Sequence, residues 1–474
     1  MKKDDLYELV KTLSSSEKKV FKEKYAVKGE SNFIRLFDAI SAGDVTNDAD
    51  AKKKFAKENF VQHLGKTKSY LYEVILSSLH EQIQPHYTRL RILQQIEFAE
   101  TLLNRKLFSQ AQDMLQVSLQ MAKEAEEIEL EQFLWSSLLL LTSHLHNSTD
   151  IYNNASAFQG KIRQCMDYGL FYFQLHNDYS SRGKKGTKDL NDYAQHPLLQ
   201  KKSALLSSRA LRTYEIIQSL LSTVQRDFAK AWKHNMHVVQ LVKKVSKSTV
   251  LNETSYINAL FNAILSRQSL GHDAKEIIEQ LEAFEPIGRW AKSQRFLCLL
   301  RSKLYAYIIQ ERNAQGKELA HWVEKELPLY KHELNEQELV KAHMSIAGLY
   351  MKDKNFTRAL DYLLLINHSK IARENRPIIY RVAWLYQLIA NYELKDFGWL
   401  NSTLRNHKYF QKTNDTFYMI EEMVHEFLKR AITLSDKKQR VTAKLRFEKN
   451  LLEAAGKGKN SGLAYLQNID WIAK

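Results

Sequence analysis

Glycine, proline and cysteine are scarce in this chain of 474 residues, numbering 15, 5 and 2. Glycine and proline ordinarily make up about 7% and 5% of a globular protein. Strands joined by tight turns need Gly, Asn-Gly and Pro at frequent intervals, so this scarcity argues against a sheet-rich fold. Long helices with short polar turns have no such need. The five prolines (Pro85, Pro197, Pro286, Pro328, Pro377) lie far apart and mostly beside expected helix starts, where a missing N–H costs nothing. Cys165 and Cys298 lie singly in helical patterns and read as reduced thiols. The most apolar run, Phe133 to Thr142, is shorter than the ~20 residues that span a bilayer. No secretory-type apolar segment follows Met1-Lys2-Lys3-Asp4-Asp5. No membrane contact and a cytoplasmic location are the expectations.

Chemistry-bearing motifs are also missing. No G-x-x-x-x-G-K-[ST], G-x-G-x-x-G or G-x-S-x-G pattern occurs. Gly456-Lys457-Gly458-Lys459 has no strand before it and reads as a basic turn. Zinc needs three or four convergent ligands. His234 with His237, and His144 with His146, have no Cys or carboxylate companions at motif spacing, and His80-Glu81 followed by His86 departs from H-E-x-x-H. No catalytic residue, metal site or cofactor is therefore expected, and the chain reads as non-enzymatic.

What is present is charge, unevenly spread. The formal net charge is +16. Residues 1–80 hold 15 basic and 12 acidic groups, net +3; residues 81–159 hold 5 and 10, net −5. Residues 160–250 hold 16 and 6, net +10; residues 251–403 hold 20 and 18, net +2; residues 404–474 hold 14 and 8, net +6. Such asymmetry steers anionic partners. The candidate polyanion contacts are Arg182, Lys184, Lys185, Lys188, Lys201 and Lys202, with Lys437, Lys438, Arg440, Lys444 and Arg446 in the tail.

Residues 1–80 read as a separate helical cap domain. Leu6, Leu9, Val10 and Leu13 make a first apolar stripe, and Ser14-Ser15-Ser16-Glu17 has the form of a capping box. Phe33, Leu36, Phe37 and Ile40 predict a further helix, Gly65 a C-cap, and Leu71, Val74, Ile75 and Leu79 a last helix beginning at Lys66. From about residue 88 to 430 the pattern changes to helix pairs, interrupted by an insertion near 177–196. Residues 431–474 form a basic helical tail.

Within the array, Val340 to Arg373 places Ala347, Tyr350, Phe356 and Ala359 at unit positions 8, 11, 17 and 20. Ala99, Leu102, Phe108 and Ala111 repeat that spacing, as do Ser219, Ser222, Phe228 and Ala231. A degenerate unit from Ala383 is one residue short in its turn. These segments resemble the tetratricopeptide-repeat family, whose 34-residue unit crosses two helices at small residues. The resemblance implies an all-α, helical-hairpin solenoid with a small helical N-terminal domain. It further implies a scaffold or adaptor that binds a protein or peptide on its concave face, through Lys341, Met344, Gly348 and Met351 in the best unit. The Lys/Asn clamp by which some relatives hold a chaperone carboxylate is absent: its positions carry Ile96 and Glu100, Ile216 and Leu220, Met344 and Gly348. The alternative is a nucleic-acid-associated regulator, its N-terminal domain binding DNA through Lys68, Ser69 and Tyr72 and its repeats acting as sensor.

Overall fold

The computed structural model describes residues 5–26, 31–145, 149–180, 192–200, 207–310, 315–331, 333–375, 377–406, 417–434, 436–456, 466–467 and 469–472. Among these, every regular element is helical and no strand occurs. The N-terminal helices are α1 (Asp5–Thr12), α2 (Ser15–Tyr25), α3 (Asn32–Ser41), α4 (Asp48–Lys54) and α5 (Leu64–Ile83). There follow α6 (Thr88–Asn104), α7 (Phe108–Glu124), α8 (Ile128–Leu145), α9 (Thr149–Ser180), α10 (Ser208–Val224), α11 (Phe228–Lys243), α12 (Val250–Ser269) and α13 (Lys275–Ala283). The remainder comprises α14 (Arg289–Gln310), α15 (Gln315–Tyr330), α16 (Glu336–Lys352), α17 (Phe356–Asn367), α18 (Lys370–Asn375), α19 (Pro377–Glu393), α20 (Phe397–Asn406), α21 (Phe417–Ala431) and α22 (Lys437–Gly456).

The chain divides into two units, Met1–Ile217 with Gln240–Tyr256, and Gln218–Val239 with Ile257–Lys474. In the first, α1–α5 enclose a core of their own around Leu6, Tyr7, Phe21, Leu36, Phe37, Leu71 and Ile75. The capping box expected at Ser14 is present. Glu17 N–H donates to Ser14 Oγ at 3.2 Å, and Ser14 N–H donates to the Glu17 carboxylate at 2.6 Å. Gly65, expected beyond a helix end, instead lies in the first turn of α5. The residue that needs glycine is Gly43, at φ +85°, where α3 stops. Helices α6–α9 bury Ile92, Ala99, Leu115, Leu134 and Leu138 in a separate cluster.

In the second unit one core runs from Phe296 to Ile472. Helix α14 packs on α15 and α16, α16 on α17, α17 on α19, and α19 on α20 and α21, with α22 against α21. Polar side chains pin these layers. Asn235 accepts from Ser219 Oγ at 2.7 Å and is 2.9 Å from Ser266 Oγ, while the Asn367 amide donates to Gln387. Arg381 grips Glu421 through two nitrogens, Nε to Oε1 at 3.0 Å and Nη2 to Oε2 at 2.6 Å.

Four helix pairs and the α7–α8 junction share one turn. Lys106, Glu126, Arg226, Lys354 and Lys395 all take left-handed backbone, at φ 62°, 56°, 60°, 58° and 62°. In each, the following N–H reaches back five residues: Leu107 to Leu102, Glu127 to Ala122, Asp227 to Ser222, Asn355 to Tyr350 and Asp396 to Asn391, all at 2.9–3.0 Å. This is the Schellman ending, which normally recruits glycine. Here a charged residue occupies it at a cost of about 1–2 kcal/mol. The fourth pair, expected to have a shortened turn, has one of full length. Its equivalents of Ala347 and Ala359 are Leu388 and Leu400, both buried, so the small-residue signature is missing while the backbone is kept.

Candidate partner-binding site

The α16–α17 hairpin is assembled by local signals. Asn335 and Glu338 form a capping box at the start of α16, with Glu338 N–H donating to Asn335 Oδ1 at 3.0 Å. Asp353-Lys354-Asn355 turns the chain, and the Asn355 side chain caps α17 by accepting from Arg358 N–H at 3.3 Å. Ala347 and Ala359 are fully buried, and Tyr350 stacks on Tyr362 with centroids 5.9 Å apart. Beside them Tyr350 Oη and the Arg358 guanidinium both donate to Glu324 Oε1, at 2.8 and 2.7 Å. Those donors hold the Glu324 carboxyl below its ordinary range, the Arg358 hydrogen bond contributing most.

The four residues assigned to the groove face do not share one environment. Met351 is 1% exposed and belongs to the hydrophobic core. Gly348 is buried too, yet a Cβ built there would meet nothing within 4 Å. Met344 is half-buried against the core, and Lys341 is half-buried within electrostatic reach of Cys298 on α14. Helical spacing puts these four residues on one side of α16. It carries no information about which distant helix covers that side.

The accessible apolar surface of this hairpin lies elsewhere. Glu336, Leu339, Val340, His343, Leu364, Leu365, His368 and Ser369 line a cleft of about 450 Å³. Leu364 and Leu365 are 42% and 53% exposed, although both sit in an apolar run that reads as core. His343 lies in its wall, 9% exposed, and burial with Lys331 nearby pushes its imidazole down to about 4. The cleft therefore offers apolar side chains and a neutral imidazole.

No family model, curated protein or solved structure matches this chain.

The remaining candidates separate by location. Arg182, Lys184, Lys185, Lys188, Lys201 and Lys202 lie outside the described residues. In the N-terminal domain Lys68 is buried, with its ammonium on Asp48 and 4.8 Å from the Tyr7 ring centroid, so it does not face a nucleic-acid groove. Ser69 on the same helix is exposed and Tyr72 is half-buried. Nearby cations are also internally engaged: Lys22 with Asp38 at 2.8 Å, Arg35 with Glu58 at 2.8 Å, and Lys24 with Glu81. In the tail, Arg440 donates to the Leu434 carbonyl at 2.7 Å, and Lys444 lies 3.6 Å from Glu393 and over the Trp471 ring. Lys438 and Arg446 instead line a groove between α21 and α22. The Lys437 side chain lies outside the described residues.

Cys165 and Cys298 are free thiols. Burial pushes Cys298 up to about 12, which keeps it protonated and unreactive. Among the described residues no three His, Cys, Asp or Glu side chains cluster as metal ligands, and no helix is long and apolar enough to cross a membrane.

Proposed function

We propose that this protein is a helical-repeat scaffold of tetratricopeptide-like hairpins that binds a protein or peptide segment. The observation that carries the reading is the recurring turn. Backbone N–H groups bond to the carbonyls of Leu102, Ser222 and Tyr350, the residues that occupy unit position 11 in the sequence motif. A backbone device repeated in register supports a repeated supersecondary unit, independently of the side chains that suggested it. Repeated hairpins stack because none can bury its apolar faces alone, and stacked hairpins offer extended surfaces rather than enclosed catalytic cavities. The α16–α17 cleft, with Leu339, Leu364 and Leu365, suits an apolar anchor of a bound segment.

Affinity capture from native extract with the immobilised full chain tests the reading. A specific partner should be recovered and should be lost in Leu364→Glu/Leu365→Glu, with helicity by circular dichroism unchanged. The variant Leu251→Glu, altering an exposed leucine on α12, should retain it. Recovery of no partner would overturn the scaffold. Undiminished capture by the double variant would remove the cleft from the binding site.

A further inference from the structure

The last helix pair, α21 and α22, frames a surface that combines aromatic rings with cations. Between α21 and α22 lies an open groove of about 790 Å³. Its floor is Met423, Phe427, Leu434, Ala443 and Phe447. Phe427 and Phe447 stack with centroids 4.7 Å apart, and Trp471 backs both rings at 5.9 and 5.7 Å. The floor is thereby held rigid from behind. Trp471 is itself fixed by its indole N–H, which donates to Glu393 Oε1 at 2.8 Å.

Three exposed cations line the groove: Arg430 on α21, and Lys438 and Arg446 on α22. One carboxylate, Glu426, accompanies them, giving +3 − 1 = +2 for the lining. None of these three cations has a carboxylate within ion-pair distance among the described residues, whereas the adjacent Lys444 lies 3.6 Å from Glu393. Along α22 the lining residues Lys438, Thr442, Arg446 and Asn450 recur every fourth position. At 1.5 Å per residue that wall is about 18 Å long, room for roughly three turns of a helix.

We propose that this groove docks an amphipathic helix of a partner protein, its apolar ridge on Phe427, Ala443 and Phe447 and its acidic flanks against Arg430, Lys438 and Arg446. The assignment rests on the scaffold reading above and names the partner's chemistry. Charge complementarity selects an acidic flank, and the positions of the cations on both walls favour a ligand lying along the groove. Single-stranded nucleic acid needs exposed ring faces for stacking, and Phe427 and Phe447 are recessed below the rim. A flat bilayer cannot fill a concave floor between two helices.

The test uses the full chain and a fluorescein-labelled helical peptide of about 18 residues, with Leu along one face and Glu on its flanks, read by anisotropy. A Lys-for-Glu version of the peptide and phosphatidylserine vesicles serve as comparison probes. The acidic peptide should bind, the basic one should not, and affinity should fall at least about tenfold in Arg430→Glu/Arg446→Glu. Thr442→Trp, which fills the groove without changing charge, should weaken binding by a similar factor. Circular dichroism should be unchanged in both variants, since all three side chains are exposed.

Absence of peptide binding, equal binding of both peptides, or indifference to both variants would overturn the proposal. Vesicle binding that depends on the same residues, without peptide binding, would overturn it in favour of a lipid surface. Self-association abolished by Thr442→Trp would overturn it in favour of a second copy. If a captured partner still depends on Leu364 and Leu365 while the groove variants have no effect, this proposal fails and the scaffold reading stands.

Discussion

The N-terminal helices and the α21–α22 groove both carry lysine and arginine, and the two sets differ in how they are paired. In α1–α5, Lys22, Lys24, Lys54, Lys68 and Arg35 each meet a carboxylate from another part of the domain. Along the α21–α22 groove, Arg430, Lys438 and Arg446 are exposed and meet no carboxylate within ion-pair distance among the described residues. Local net charge, +3 over residues 1–80 and +6 over 404–474, hints at this difference without locating it. Pairing geometry locates it. A cation satisfied within its own domain contributes little to recognition, and an unsatisfied one beside an apolar floor can contribute specificity.

The largest expected effect comes from a pair that both belongs to the second unit and is buried. Glu421→Ala removes the carboxylate from the Arg381 guanidinium at a site where the two side chains are 15% and 5% exposed. Breaking such a pair from one side costs about 3–5 kcal/mol, readable as a lower urea midpoint. The same kind of truncation in the N-terminal domain at Lys22, whose ion pair is solvent-exposed, should change stability by less than about 0.5 kcal/mol. Equal losses at the two positions would break the comparison.

The second effect depends on pH. His343 is depressed to about 4 in the folded chain, against an unfolded value near 6.5. The unfolded state therefore binds more protons between these values, and stability rises with pH through that window. On acidification from pH 7 the protein should lose up to about 3 kcal/mol by pH 4 from this residue. His343→Leu should flatten that dependence between pH 4 and 6.5; an unchanged slope would place the acid sensitivity elsewhere.

The third effect is a gain. Lys354→Gly relieves a left-handed backbone strain of about 1–2 kcal/mol and concedes part of it to the greater freedom of glycine when unfolded. A net stabilisation of about 0.5–1 kcal/mol is expected, measured as a higher denaturation midpoint. Gly348→Ala should stabilise by a similar amount, because it sits inside α16 where an added Cβ meets no neighbour.

The helical character of the chain was legible from its low glycine and proline content and its apolar spacing. So was the Ser14 capping box, since both are short-range patterns. The αL turns were not, because the rule for finding helix ends looks for glycine, and Lys106, Arg226, Lys354 and Lys395 stand in its place. That rule selected Gly65 instead, a residue in the first turn of α5. Long-range burial was equally hidden. Lys68 meets Asp48 twenty residues away, and Met351, expected to line a groove, belongs to a core drawn from residues 296 to 472. The α21–α22 groove combines both limits: Lys438 and Arg446 were visible in the tail, whereas Arg430 and the aromatic floor supplied by Phe427 and Phe447 were not.

The charged residues at the helix-pair turns also make the molecule a ruler for its own opening. Lys106, Arg226, Lys354 and Lys395 are exposed, and each is a trypsin cleavage position at the tip of a hairpin. A three-residue turn held by backbone hydrogen bonds does not fit a protease active site until the flanking helix ends unravel. Cleavage at each position then reports the local opening free energy of that hairpin alone. Four nicks, timed separately, would rank the hairpins from the most readily opened to the most securely closed.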